Sequence, residues 1–140
     1  MNVEIFRIKK TEKNTPTYID SGISAGFPSP ADDFIQQKLS LDEKLVQHKD
    51  ATFYARVKGD SMINAGLDDG DLLVIDRSLP TQNNAIAICF LNNEFTVKRL
   101  KITGEKITLI PENDDYDEVE VNESHELVIW GIVTYVIKKV

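Results

Sequence analysis

A chain of 140 residues, 41% hydrophobic and with 23 Asp and Glu against 16 Lys and Arg, has room for one domain with an ordinary core. Its net charge of −7 argues against a broad phosphate-binding face, because nonspecific DNA affinity comes mainly from Lys and Arg displacing counterions, so no direct sequence-specific DNA binding is expected. The opening MNVEIFRIKKTEKN lacks the apolar stretch of an export signal, and no segment approaches about 18 uninterrupted apolar residues, so the expectation is a cytoplasmic protein without a membrane span.

Residues 1–25 hold four basic and three acidic residues, a net +1, while the remainder carries −8. With no long apolar run, residues 1–25 cannot build a core of their own and read as a flexible arm, extended or partly disordered when undocked. Next comes FPSPADDFIQQKL. Ser29 suits a helix cap, Pro30 the first helical position, and Asp32 and Asp33 the positive N-terminal end. A short helix over 30–39 is predicted, with another turn near 43–47.

From residue 51 the pattern changes. ATFYARVK, DLLVID, AIAICFL, EFTVKRL, KITLIP and ELVIWGIVTYVIKK are rich in Val, Ile, Phe, Tyr and Thr, and NAGLDDG, LPTQNN, LNNE, TGE and ENDDYD separate them as turns. The fold class predicted is mostly β: an antiparallel β-sandwich or partly closed barrel, with the short N-terminal helix and the arm before it. Cys89, the single cysteine, cannot form an internal disulfide and lies in the apolar AIAICFL. It reads as a buried core thiol in a reducing compartment. Trp130 and Gly131, in the last strand, read as core and close-packing positions.

Ser61 follows a strand in KGDSMINAGLDDGDLLVID, residues 58–76. A serine after Gly-Asp is ordinarily a turn or cap residue; the sharper reading is a nucleophile held out of the sheet. A Ser-His-Asp triad would need His48, in VQHKD, or His125, in NESHEL, and neither polar context suggests a site. Lys98 lies inside EFTVKRL, sharing its strand face with Thr96 and Leu100 while Phe95 and Val97 face the other way. It is either a solvent-face lysine or a lysine buried beside Ser61 and therefore neutral. A free lysine is neutral only about one part in a thousand at physiological pH. Burial can lower its pKa by roughly 3–5 units, after which the amine could accept a serine proton and return it to a leaving amine. Backbone N–H groups near Ser61 or Met62 are the natural oxyanion donors. The six acidic residues between 112 and 120 invite a metal-site reading, but they lack EF-hand spacing and its glycine and read instead as a solvated interstrand loop.

AGFPSPADDFIQQ, GDSMINAGLDDGDLLVID, EFTVKRLK, LIPEN and GIVTYVIK occur in the order found in the LexA/UmuD family of self-cleaving Ser-Lys peptidases, and the chain resembles that family over about residues 25–138. The resemblance implies Ser61 as nucleophile, Lys98 as general base and Ala25-Gly26 as the self-cleaved bond. The best-known UmuD-type member has Cys-Gly at this bond; here it is Ala-Gly, as in LexA repressors. The implied organisation is a removable arm, 1–25, and a peptidase domain, 26–140. Ala25 is small enough for a tight pocket, and Gly26 lets the backbone approach the nucleophile closely. The resemblance further implies a RecA–single-stranded DNA filament as co-protease, and a homodimeric product serving as accessory subunit of a Y-family translesion polymerase. The apolar C-terminal strand is a candidate dimer interface, and the polymerase sliding clamp is a further candidate partner. No cofactor and no metal are implied. A LexA- or phage-type repressor is the alternative, but it needs a helix-turn-helix domain for which 25 residues leave no room. A type I signal peptidase shares the dyad but works at a membrane.

Overall fold

β-Branched and aromatic residues at alternate positions favour extended backbone, and the computed structural model, which describes residues 2–8, 17–19 and 36–140, is built mainly of strands. In chain order these are β1 (Asn2–Arg7), β2 (Thr17–Ile19), β3 (Gln36–Lys38), β4 (Thr52–Lys58), β5 (Leu72–Asp76), β6 (Ile86–Leu91), β7 (Glu94–Thr103), β8 (Lys106–Ile110), β9 (Val119–Glu120) and β10 (Leu127–Ile137). Among the described residues one α-helix, α1 (Leu41–Leu45), precedes β4. Among the described residues no helix is long and apolar enough to cross a membrane.

The chain divides into two compact units. In the larger, formed by the first eight residues and His48–Val140, eight strands make one antiparallel sheet in the order β1-β4-β5-β10-β6-β7-β8-β9. The sheet curls until Asn2 of β1 pairs with Thr96 of β7, so the partly closed barrel is the form adopted. Asn92 and Asn93 (φ 50° and 67°) form the two-residue hairpin between β6 and β7, a turn that needs positive φ at both positions. β5 and β6 carry unbroken buried runs because they are covered on both faces. Leu73, Ile75 and Ile88 join one core cluster with Val57, Met62, Leu67 and Val97, whereas Ala87 and Cys89 join a second with Leu100 and Leu109.

The close-packing role of Gly131 holds: a Cβ there would lie 2.5 Å from Ile75 Cγ2. Trp130 packs edge-on against Phe53 and Phe95, and the Arg77 guanidinium lies 4.3 Å above its ring. β1 is a strand that its composition did not announce: Val3 and Ile5 pack on the first core cluster, and their spacing of two is the strand period.

The smaller unit, residues 9–47, holds the β2–β3 pair and α1. Here the helix expected over 30–39 needs correcting. Positions 30–35 lie outside the described residues, and Gln36–Lys38 is strand, paired antiparallel with Thr17–Ile19. Gln36, Gln37 and Lys38 supply no apolar stripe to hold a helix, and strand pairing satisfies their backbone groups instead. The helix that forms begins at Leu41. Ser40 caps it, its Oγ accepting from Glu43 N at 3.5 Å, with Asp42 and Glu43 in the first turn and Lys44 in the last.

Candidate active site

β4 ends at Lys58, and the chain turns sharply through Gly59, whose φ of 98° is open to glycine but strained for other residues. Its amide donates to Asp69 Oδ1 at 2.8 Å, closing the turn. Ser61 and Met62 follow, both fully buried, before a single 3₁₀ turn, Ile63–Ala65. Burial of Met62 in the first core cluster anchors the turn from beneath.

Lys98 comes from the middle of β7, 37 residues away in sequence, and its Nζ lies 3.2 Å from Ser61 Oγ. Thr96, two residues earlier on the same strand face, places its Oγ1 at 3.2 Å from the same nitrogen. The register sets Lys98 opposite Ala87 and Thr96 opposite Cys89, so small or apolar residues surround the stem of the lysine. Burial, the largest influence on this amine, holds its pKa below the ordinary lysine value. A serine hydroxyl within hydrogen-bond reach of an amine biased toward neutrality is an arrangement that can make an alkoxide nucleophile. Cys89 is buried, and desolvation pushes its thiol up to about 12 despite the nearby Lys98 charge, so it remains a protonated core residue.

The loop 111–117 grips this turn. Asn113 Nδ2 donates to Asp60 O at 2.8 Å, and Tyr116 Oη donates to Asp60 Oδ1 at 2.6 Å. Asn64 N donates to Glu112 O at 2.7 Å, and Glu112 N approaches Met62 Sδ at 3.4 Å. The Glu112 carboxylate pairs with Arg99, the neighbour of Lys98 on β7. The strand carrying the lysine and the turn carrying the serine are thus tied through one acidic loop. The loop is the exposed interstrand connection that its acidic composition predicts, and Asn113 and Tyr116, interleaved among the acids, add the contacts to Asp60. Among the described residues no three His, Cys, Asp or Glu side chains converge as metal ligands.

Neither histidine joins Ser61. His48 Nδ1 lies 2.6 Å from Asp76 Oδ2, while Asp76 Oδ1 accepts from Ser78 Oγ at 2.5 Å and Ser78 N at 2.8 Å. Burial alone would raise the Asp76 carboxyl, but these hydrogen bonds outweigh it and bring the pKa below the ordinary value. His125 Nδ1 accepts from Asn122 N at 3.1 Å within its own loop. Ala25 and Gly26, the expected cleavage bond, lie outside the described residues.

A family model described as Peptidase S24-like matches residues 16–134, a span that contains Ser61, Lys98 and the loop that binds them. The chain belongs to this family. Peptidase S24 proteins are self-cleaving serine peptidases, the group that includes UmuD- and LexA-type proteins. Protein MucA of Salmonella typhimurium is 41% identical over 138 residues, covering 96% of this chain and 93% of that protein. Protein ImpA of Shigella flexneri is 41% identical over 115 residues, 82% of this chain and 78% of its own length. The LexA repressor of Paracidovorax citrulli is 36% identical over 116 residues, 83% of this chain but 51% of the repressor. The Peptidase S24 match thus covers both sides of the hydroxyl–amine contact.

Proposed function

We propose that the chain cuts its own Ala25-Gly26 bond with Ser61 as nucleophile and Lys98 as general base. The observation that carries this is the 3.2 Å approach of Lys98 Nζ to the buried Ser61 Oγ in a Peptidase S24 chain. Neutral Lys98 takes the Ser61 proton as Oγ attacks the Ala25 carbonyl carbon. The resulting oxyanion is held by backbone amides at Ser61 and Met62. Protonated Lys98 then gives its proton to the Gly26 nitrogen as the C–N bond breaks, leaving Ala25 as an ester on Ser61. Water, deprotonated by the same amine, hydrolyses that ester and completes the covalent cut into 1–25 and 26–140. Thr96 holds the amine on the serine side of β7 throughout. Because the bond is tethered to its own catalyst, the rate depends on how often the segment around residue 25 docks.

The biological reading is our own and draws its support from likeness to the family. A RecA–single-stranded DNA filament promotes docking in the cytoplasm, and the 26–140 product, as a homodimer, serves a Y-family polymerase in synthesis across damaged DNA. The sliding clamp is a further partner of this assembly. The 41% identity to MucA over 138 residues, against 36% over 116 residues to the LexA repressor, supports this reading over that of a repressor. Incubation with RecA filaments, or at alkaline pH, should give the masses of 1–25 and 26–140. A cut elsewhere, or none under either condition, refutes the assignment. A chain beginning at Gly26 and carrying Ser61→Ala should restore damage-induced mutagenesis, whereas full-length Ser61→Ala should not.

A further inference from the structure

A cut between Ala25 and Gly26 divides the chain covalently, yet strand pairing crosses the division twice. β1 runs antiparallel along β4 from Asn2↔Lys58 to Arg7↔Phe53, and β2 pairs with β3 from Thr17↔Lys38 to Ile19↔Gln36. Among the described residues, every strand of 1–25 pairs with strands of 26–140, and β1 and β2 do not pair with each other. Hydrolysis of one peptide bond removes no hydrogen bond from either ladder.

Side chains reinforce the longer ladder. Val3 and Ile5 pack on the cluster that includes Ala55, Val57 and Val97. On the opposite face Lys58 Nζ lies 3.4 Å from Glu4 Oε1, while at the end of β1 Arg7, in register with Phe53, sets its guanidinium 5.6 Å from that ring's centre. On its other edge β4 pairs with β5, so departure of β1 would turn β4 into an open sheet edge beside an uncovered apolar groove. Such an edge recruits extended chain: main-chain hydrogen bonds supply affinity, and alternate side-chain pockets supply selectivity.

We propose that the free edge of β4 is a strand-acceptor site that keeps fragment 1–25 attached as a noncovalent peptide after the cut. The ligand class it accepts is an extended peptide antiparallel to β4, with apolar residues at alternate positions, an acid facing Lys58 and a cation over Phe53. The proposal takes only the position of the cut from the self-cleavage reading. Before the cut the connecting chain holds β1 at a high effective concentration; afterwards retention becomes concentration-dependent and other strands can compete. Cutting and release are therefore separate steps, and the β4 edge stays blocked until β1 dissociates or is displaced.

The test uses the full chain with a site-specific protease sequence replacing residues 21–25, so that the cut is made whether or not the protein cleaves itself. At micromolar concentration the two pieces should co-elute in native size-exclusion chromatography, and the β4 amides facing β1 should keep their protection from hydrogen exchange. With Val3→Asp and Ile5→Asp in the same chain, the pieces should separate and those amides should exchange at least about tenfold faster. A labelled peptide of residues 1–10 should then bind this cut variant, and the same peptide carrying both Asp changes should not. Immediate separation of the pieces without these substitutions, or unchanged β4 protection once they part, overturns the proposal. Should the double variant not fold, the co-elution and exchange of the unsubstituted cut chain decide alone. Failure of self-cleavage would show separately, as an intact unmodified chain, and would leave the retention result untouched.

Discussion

Two polar clusters in the larger unit each contain a serine, and they behave oppositely. Ser61 faces the Lys98 amine, which burial biases toward its neutral form; Ser78 faces the Asp76 carboxylate, which hydrogen bonds hold ionised. The first hydroxyl has a neighbour that can take its proton. The second donates to an anion already satisfied by His48 and by the Ser78 amide. A list of residue types would favour the second cluster, since it contains Ser, Asp and His. The order of contacts rules that out: the carboxylate stands between serine and imidazole, whereas a triad needs the imidazole in the middle. In the proposed mechanism, what sets the nucleophile apart from a structural knot is the protonation state of its neighbour.

The sharpest way to break this contrast is at Lys98. Lys98→Ala should lower self-cleavage by at least about a hundredfold, within the usual range for loss of a general base. Lys98→Arg should be equally inactive, since a guanidinium does not give up its proton in proteins. Fragment masses followed over time provide the measurement, and an active arginine variant would disprove the base assignment.

The pH dependence comes next. Below its folded pKa Lys98 is protonated and has no lone pair to accept a proton; above it the amine is free. Cleavage without a co-protease should therefore rise with pH through the depressed Lys98 pKa and level off beyond it. A flat profile across that range would contradict the mechanism.

A smaller effect is expected from the loop that grips the Ser61 turn. Tyr116→Phe combined with Asn113→Ala removes both loop side-chain contacts to Asp60, and the resulting misplacement of Ser61 should slow cleavage by roughly two- to tenfold. The profile should keep its pH midpoint, because Lys98 and its burial are untouched. A shift in the midpoint would mean that the loop acts on the lysine rather than on the turn.

At the second cluster the expected loss is in stability alone. Asp76→Asn should cost about 1.5–3 kcal/mol in denaturant unfolding, the usual scale for hydrogen bonds to a charged group, and leave cleavage per folded molecule unchanged. The folded-state pKa of Asp76 lies below its unfolded value. Its contribution is therefore fully present above the unfolded pKa and disappears as pH falls through the folded one. The asparagine variant should lack that acid-side decline. Loss of cleavage in a fully folded Asp76→Asn protein would show that the two clusters are coupled.

The strands from β4 to β8 and β10 were legible in the chain because strand formation has a short period: alternating Val, Ile, Phe and Tyr, then a turn residue. Burial of Cys89 and the tight packing at Gly131 followed from the same local pattern. Ser61 and Lys98 could be singled out, but their residue types alone left both a bland and a sharp reading open. β1 escaped notice because its two inward residues gain their value only when β4 and the far end of β7 come alongside. Gln36–Lys38 likewise took its strand form from pairing with Thr17–Ile19 rather than from its own propensity. Composition and periodicity therefore determined fold class and most of the sheet, since those depend on neighbours along the chain. The 3.2 Å contact between residues 37 apart, the depressed lysine beside a buried serine, and the grip of Asn113 and Tyr116 on Asp60 were decided only by sheet curl and register. A pKa and a hydrogen bond depend on what surrounds an atom in space, and no local period encodes that.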